Sequence, residues 1–426
     1  MRMYFPDMHG TVNRDQLDML LSRRQEARPQ KSKPPYLPQE LIDLVIDQVA
    51  SGRDLHTLQA CSLTATSWLP RSRGHLFSFT YLHPNNFQEM EQRFQSSDIS
   101  HYMRNLLLQC GTLDDDEEVI ARDSELNENL LSFLQNVERI ELSTVTWIGL
   151  RSGVQKRFIT GFTAVTVLRL SEVVFNNLTD ILTLARSFAH LAKLHLRKVV
   201  WHGMDASSPS GSGSNEPPRL HPQRLTDIEI YECTSPADFI SAFFSSGSGE
   251  RLERIAVEWG DNDDPRVLRS LIFTAGESLK ILEVDLSWQE PVVPLDLRRS
   301  SNLRELYVDG LLLDPPDTHT HTPSTHLSWI PTFISGISSH HLRKVVFYIT
   351  LSDIRELERL HLGRLDTILG GERFQSVEIV GFVVTVLPHG VVPPLRRTDI
   401  LAAIQNRMPK AHSRGILRLT REEISN

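Results

Sequence analysis

The sequence predicts an α/β protein: a short three-helix module followed by an irregular repeat solenoid with a parallel sheet. Two observations carry that expectation. One apolar pattern recurs nine times from Val137, with helical stretches between the copies. A dense apolar segment from Leu37 to about Leu82 differs from both the Lys/Pro-rich stretch before it and the repeats after it. With 426 residues, the chain is too long for one ordinary compact domain unless repeats extend it. The expected organisation is a tail and linker over 1–36, the helical module over 37–82, a connector over 83–130 and the repeat domain over 131–426.

In the module, Pro38 suits a first helical turn, where its missing N–H costs nothing. Leu41, Ile42, Leu44, Val45, Ile46 and Val49 follow and cover more than one stripe, so this helix is expected to be buried on two sides. Ser51-Gly52 ends it. Asp54 caps a second helix through about Thr66, and Pro70 starts a third that carries Leu76 and Phe77. Three short helices hold too little core to stand alone, so the apolar excess implies a partner.

The repeat runs apolar, two variable residues, apolar, variable, apolar. It reads VERIEL from Val137, VTVLRL from Val165, LAKLHL from Leu191, LTDIEI from Leu225, LERIAV from Leu252, LKILEV from Leu279, LRELYV from Leu303, LRKVVF from Leu342 and FQSVEI from Phe374. GILRL from Gly415 is a tenth candidate. Successive starts lie 28, 26, 34, 27, 27, 24, 39 and 32 residues apart, near the leucine-rich-repeat range. Strand alternation sends the fourth and sixth positions inward and the third, fifth and seventh outward. Helices are expected over Leu178–Leu191, Ala237–Phe244, Arg266–Thr274 and Leu357–Leu369. Gly203–Pro218 and Asp314–His326 read as loops, Asp114–Glu118 as a solvated acidic run and Gln16–Gln25 as a short helix.

The ordered series Leu37-Pro38, Glu40-Leu41, Leu58, Ala60-Cys61-Ser62-Leu63 and Ser67-Trp68-Leu69-Pro70-Arg71-Ser72-Arg73 resembles the F-box, in the variant of many fungal F-box-like proteins. The repeats are similar to the C-terminal leucine-rich-repeat-like region of F-box proteins. The resemblance implies docking on the SKP adaptor of a cullin-RING ubiquitin ligase, with Leu37, Pro38, Leu41, Leu58 and Trp68 at the adaptor-contacting positions. It implies that the repeats bind a target protein, making the chain an SCF-type substrate receptor. The alternative is a non-catalytic interaction scaffold with no ligase role.

One departure stands out. The slot where such repeats carry Asn holds Val145, Val173, Val199, Cys233, Gly260, Ser287, Leu311, Thr350 and Phe382, so an irregular solenoid is expected. The outward positions of the fourth to seventh repeats include Asp227, Glu229, Tyr231, Glu258, Glu283, Asp285, Glu305, Tyr307 and Asp309, with Arg254 as the basic member. The second and third repeats present Arg169, Lys193, His195 and Arg197. The face is therefore expected to be bipolar, its acidic stretch receiving a basic segment of a target, with Tyr231, Tyr307 and Tyr348 as anchors.

Other classes find little footing. Lys plus Arg number 45 against 53 Asp plus Glu, a net charge of −8, which gives nucleic acid no general attraction. The three cysteines, Cys61, Cys110 and Cys233, make no disulfide framework and fit a reducing compartment, cytoplasm or nucleus. No secretory h-region or uninterrupted membrane span is expected; the longest apolar candidate, Gly381–Leu395, is broken by prolines. Phosphate loop, HExxH, CxxC and GxSxG motifs are absent, and His319, His321 and His326 read as a polar loop. No enzyme, cofactor or metal is expected.

Overall fold

The structure is a computed structural model that describes residues 37–52, 54–96, 98–111, 126–203, 224–245, 249–260, 263–285, 295–312, 327, 329–386 and 395–422. The expected helix at Gln16–Gln25, the acidic run Asp114–Glu118, Ser287, His319, His321, His326 and most of the two expected loops lie outside these residues. The chain forms two compact units, Met1–His75 and Leu76–Asn426. Among the described residues no helix is long and apolar enough to cross a membrane.

The first unit holds helices α1 (Gln39–Ser51) and α2 (Leu55–Thr64) and nearly all of α3 (Leu69–Leu76). Pro38 sits just ahead of α1 and Gly52 closes it. Asp54 caps α2 by accepting from the Thr57 N–H at 3.0 Å. Asp47 of α1 binds Arg71 of α3 through both carboxylate oxygens, at 2.7 and 2.6 Å, and His75 at 2.8 Å. Those hydrogen bonds hold the Asp47 carboxyl down at about 2. The expectation that α1 is buried on two sides fails within this chain. Ile42 and Ile46 are buried, whereas Leu41, Leu44 and Val45 face solvent.

The second unit is built on a sheet of twelve parallel strands in chain order. They are β1 (Phe79–Leu82), β2 (Asn105–Gln109), β3 (Arg139–Ser143), β4 (Val167–Ser171), β6 (Lys193–Arg197), β8 (Asp227–Tyr231), β9 (Arg254–Glu258), β10 (Ile281–Asp285), β11 (Glu305–Leu312), β12 (Lys344–Leu351), β13 (Ile379–Val386) and β14 (Leu417–Glu422). Two short strands, β5 (Val174–Phe175) and β7 (Val200–Trp201), pair beside it. Nine of the ten pattern copies are strands of the sheet as expected, and their inward positions, such as Ile140 and Leu142 or Leu194 and Leu196, enter one continuous core. The copy read from Phe374 is displaced by three residues: Val345 pairs with Val380 and Phe347 with Phe382. Val377, Val380 and Phe382 therefore take the first, fourth and sixth places, Ile379 is only partly buried, and Phe382 is a core residue, not the slot that follows the strand. Neighbouring strands pair residue for residue, with one register shift between Val308 and Leu311.

Two strands precede the boundary expected at residue 131. The β2 strand carries the same pattern with Met103 in the first place and Leu106 and Leu108 in the fourth and sixth, all buried. The β1 strand hides its own copy by placing Thr80 at the fourth position, where its hydroxyl contacts the Met103 sulfur at 2.6 Å. Residues 79–82 and 105–109, assigned from sequence to the helical module and connector, thus belong to the sheet. The helices Leu178–Ser187, Pro236–Phe243 and Pro265–Ala275 form close to where expected. The stretch 357–369 is instead divided between 3₁₀ and α turns at His361, which adopts φ 48°.

The strand pairing is more regular than the missing Asn ladder led us to expect, for a backbone reason. Thr144, Glu172, Lys198 and Glu232, the residues that follow β3, β4, β6 and β8, all take left-handed φ angles between 51° and 57°. Each costs on the order of 1 kcal/mol for a residue with a Cβ. The turn gives the N–H groups of Thr144, Glu172 and Lys198 the last carbonyl of the next strand, at 2.8–2.9 Å. It also drops Val145, Val173 and Val199 into the core. The amides of Val174, Val200 and Thr234 then bond to the Val145, Val173 and Val199 carbonyls. Backbone groups satisfy one another across repeats, and the slot can be apolar. At the far end, buried Asp366 caps helix Pro409–Ser413 through the N–H groups of Lys410 and Ala411.

Substituting Val173→Asn tests this directly. An amide in that slot would be buried without a partner and should lower stability by about 1–3 kcal/mol, read from the urea midpoint. Wild-type stability would mean that the slot accepts a polar ladder.

Candidate functional site

Alternation along the strands leaves the third, fifth and seventh positions on the face opposite the core, and register aligns them into rows. One row runs Tyr81, Leu107, Glu141, Arg169, His195, Glu229, Ala256, Glu283, Tyr307 and Val346 across β1 to β12. Its neighbours along the strands include Lys193, Asp227, Arg254 and Glu305 on one side and Arg197, Tyr231, Glu258, Asp285 and Asp309 on the other. The structure therefore brings every expected target-binding residue onto this open face.

It also ties many of the acids to cations already present. Arg254 bonds to Glu229 at 2.9 Å, Asp227 at 3.2 Å and Glu283 at 3.1 Å. His195 lies 3.0 Å from Glu229 through Nδ1, and Lys193 lies 3.7 Å from Asp227. Hydrogen bonding from His195, then from Arg254, holds the Glu229 carboxyl down at about 2 against burial. Tyr307 donates to Glu305 and accepts from Lys344 at 2.9 Å. Burial, then Glu305, raises the Tyr307 pKa; burial, then Glu283, raises that of Tyr231. Glu258 accepts from the Glu232 N–H, and Asp309 from the Gly310 N–H.

Sequence reasoning missed the residue that makes this network possible. Ala256 holds the outward fifth position of the fifth repeat, yet it is fully buried. Its register partners are Glu229 and Glu283, and the Arg254 guanidinium joins those two carboxylates over it. A small side chain leaves room for that bridge. The available signal was Arg followed two residues later by Ala, flanked in both neighbouring repeats by Glu at the fifth position.

The first unit offers a different surface. Leu37 and Leu41 are each 49% exposed, Leu44 62% and Leu63 85%, with Val45 and Leu55 also exposed. Of the five expected adaptor residues, Leu37, Pro38 and Leu41 face solvent and Trp68 is partly buried. Leu58 is only 2% exposed, buried as Ile46 and Cys61 of the same unit are, so in this structure it offers a partner no free surface.

A cleft of about 350 Å³ beyond β8 and β9 is lined by Glu232, Cys233, Asp238, Glu258 and Asp263 among others. Asp263 there receives the N–H groups of Ala237 and Gly260. Burial pushes the Cys233 thiol up to about 12, which keeps it protonated at neutral pH. Among the described residues no three His, Cys, Asp or Glu side chains are placed to hold a metal ion. No protein-family model matches the chain, and a search of curated proteins finds no match.

Two outcomes follow from the Arg254 bridge. Ala256→Leu should displace the guanidinium and cost about 1–3 kcal/mol in chemical unfolding, with little further loss when Arg254 is already Ala. Full additivity would place the damage elsewhere. Glu229 has a folded pKa below its ordinary 4.5, so its stabilisation is complete above pH 4.5 and is lost as pH falls toward 2. Between those limits the melting temperature of the wild type should fall more steeply than that of Glu229→Gln.

Proposed function

We propose that this chain is the substrate receptor of an SCF-type cullin-RING ubiquitin ligase, with the helical module docking on the SKP adaptor and the open face of the sheet holding a target protein. The observation that carries the reading is the solvent-facing apolar surface of the module. On α1 the buried Ile42 and Ile46 lie one turn apart, and the exposed Leu41, Leu44 and Val45 form a second face at helical spacing. A contiguous apolar surface of this kind marks an interaction site. It coincides with Leu37, Pro38 and Leu41, the positions for which the F-box resemblance implies adaptor contact.

The chain contributes no reacting group in this reading. It raises the effective concentration of target lysines near the transferred ubiquitin by tethering. A basic target segment would meet Glu258 and Glu305 more readily than Glu229 and Glu283, whose charge Arg254 already balances. The reducing compartment that the cysteines fit is where such a ligase would work.

Co-purification of the full chain with the adaptor and cullin tests the proposal. The wild type should retain the complex, and Leu41→Asp combined with Leu44→Asp should lose it at least about tenfold, because a charge in an apolar interface is left unpaired. Both residues are exposed, so an unchanged melting temperature will separate lost docking from unfolding. An interaction scaffold with no ligase role would retain no adaptor in either form.

A further inference from the structure

We infer that the N-terminal part of the open face, from β1 to β6, is a docking subsite for an extended partner segment that carries an apolar side chain followed by acidic residues. The inference deepens the proposed function, since it rests on the open face being the target surface, and it differs in sign from the basic segment expected at the acidic half.

The charge on β3, β4 and β6 is one-sided. Arg139, Arg169, Lys193 and Arg197 are all exposed there, and the outward acid among them is the partly buried Glu141. Among the described residues no carboxylate lies within ion-pair distance of Arg139 or Arg169. Lys193 and Arg197 reach only to Asp227 at 3.7 Å and Glu232 at 3.9 Å, on the β8 side. On β8, Asp227 and Glu229 are shared between Lys193 and His195 of β6 and Arg254 of β9, and Glu283 of β10 is bound to Arg254. Cations gathered on neighbouring strands repel one another, and an anionic partner relieves that repulsion while gaining charge-assisted hydrogen bonds from the guanidinium groups.

The apolar part of the subsite lies on the adjoining strands. Phe79 is 53% exposed and Tyr81 39% exposed on the edge strand β1, with Leu107 beside Tyr81 on β2. The Tyr81 hydroxyl donates to Gln109 Oε1 at 3.2 Å, which fixes the ring over the sheet edge. Strands lie about 4.8 Å apart, so β1 and β4 are separated by about 14 Å, the reach of about four extended residues. A segment crossing the strands would seat its apolar side chain on Phe79 and Tyr81 and present its first carboxylate to Arg139 or Arg169 about four residues on.

The test uses the full chain and a fluorescently labelled peptide, Trp-Gly-Ser-Gly-Glu-Asp-Glu-Asp, followed by anisotropy at low and physiological salt. Binding should weaken with salt, and replacing the four acids by Lys should abolish it. Arg139→Glu with Arg169→Glu should weaken it at least about tenfold, and Phe79→Ser with Tyr81→Ser about tenfold. All four side chains are exposed, so melting curves should match the wild type. Failure of the acidic peptide to bind, equal binding of the Lys peptide, or unchanged affinity in the Arg double variant would overturn the inference. Adaptor capture is scored on the same preparations: capture without peptide binding sinks this subsite alone, whereas peptide binding without capture sinks the ligase reading and leaves the subsite standing.

Discussion

A strand followed by a return helix cannot bury its own apolar face, and everything in the second unit follows from the way neighbouring copies resolve this. Each strand places two or more side chains in a core that only adjacent strands and helices complete, so the units are stable as a stack. Parallel pairing in register is the form that keeps the fourth and sixth positions of every copy on the same side. A slip of one residue would turn that set to solvent. The same register fixes which charged residues stand next to one another on the opposite face, so the electrostatics of the surface are set by the packing of the core beneath it.

The left-handed turns after β3, β4, β6 and β8 show how a stack can remain regular without a polar side-chain ladder. Four residues with side chains accept an unfavourable backbone conformation, and in three of these turns the amide and the following carbonyl find partners in the next unit. At Glu232 the strand carbonyl gives way to the Glu258 carboxylate as acceptor. The slot that follows is filled by valine in the first three of these turns, which adds apolar burial where an amide side chain would have needed its own hydrogen bonds.

Charge on the open face behaves less like a sum than like a circuit. Arg254 sits among three carboxylates, and His195 and Lys193 reach the same group from the adjoining strand. The acidic run therefore loses part of its field to its own neighbours, while Arg139 and Arg169 keep theirs. In the first unit the corresponding imbalance is apolar: too few residues surround α1 to cover its second face. Both surfaces are unsatisfied in a defined chemical sense, which is why each supports a reading of binding.

The sequence by itself determined the class of the fold, the strand positions in nine of the ten repeats and the side of the sheet to which their residues turn, because an alternating pattern and its spacing are local properties. In the ninth, the apolar residues at Phe374 and Val377 offer the same spacing three residues early, and only pairing with the neighbouring strand selects Val380 and Phe382. It also marked the helical module and its apolar excess. Two strands escaped it, one because methionine opens the pattern and one because Thr80 interrupts it. Leu58 looked like its apolar neighbours, and only the packing of three helices made it core and left Leu41 and Leu44 outside. Likewise the composition of the open face was legible, but its charge was not. Which cation reaches which carboxylate depends on register between residues about 25–30 positions apart and on the absence of a side chain at Ala256, and only the tertiary structure decides both.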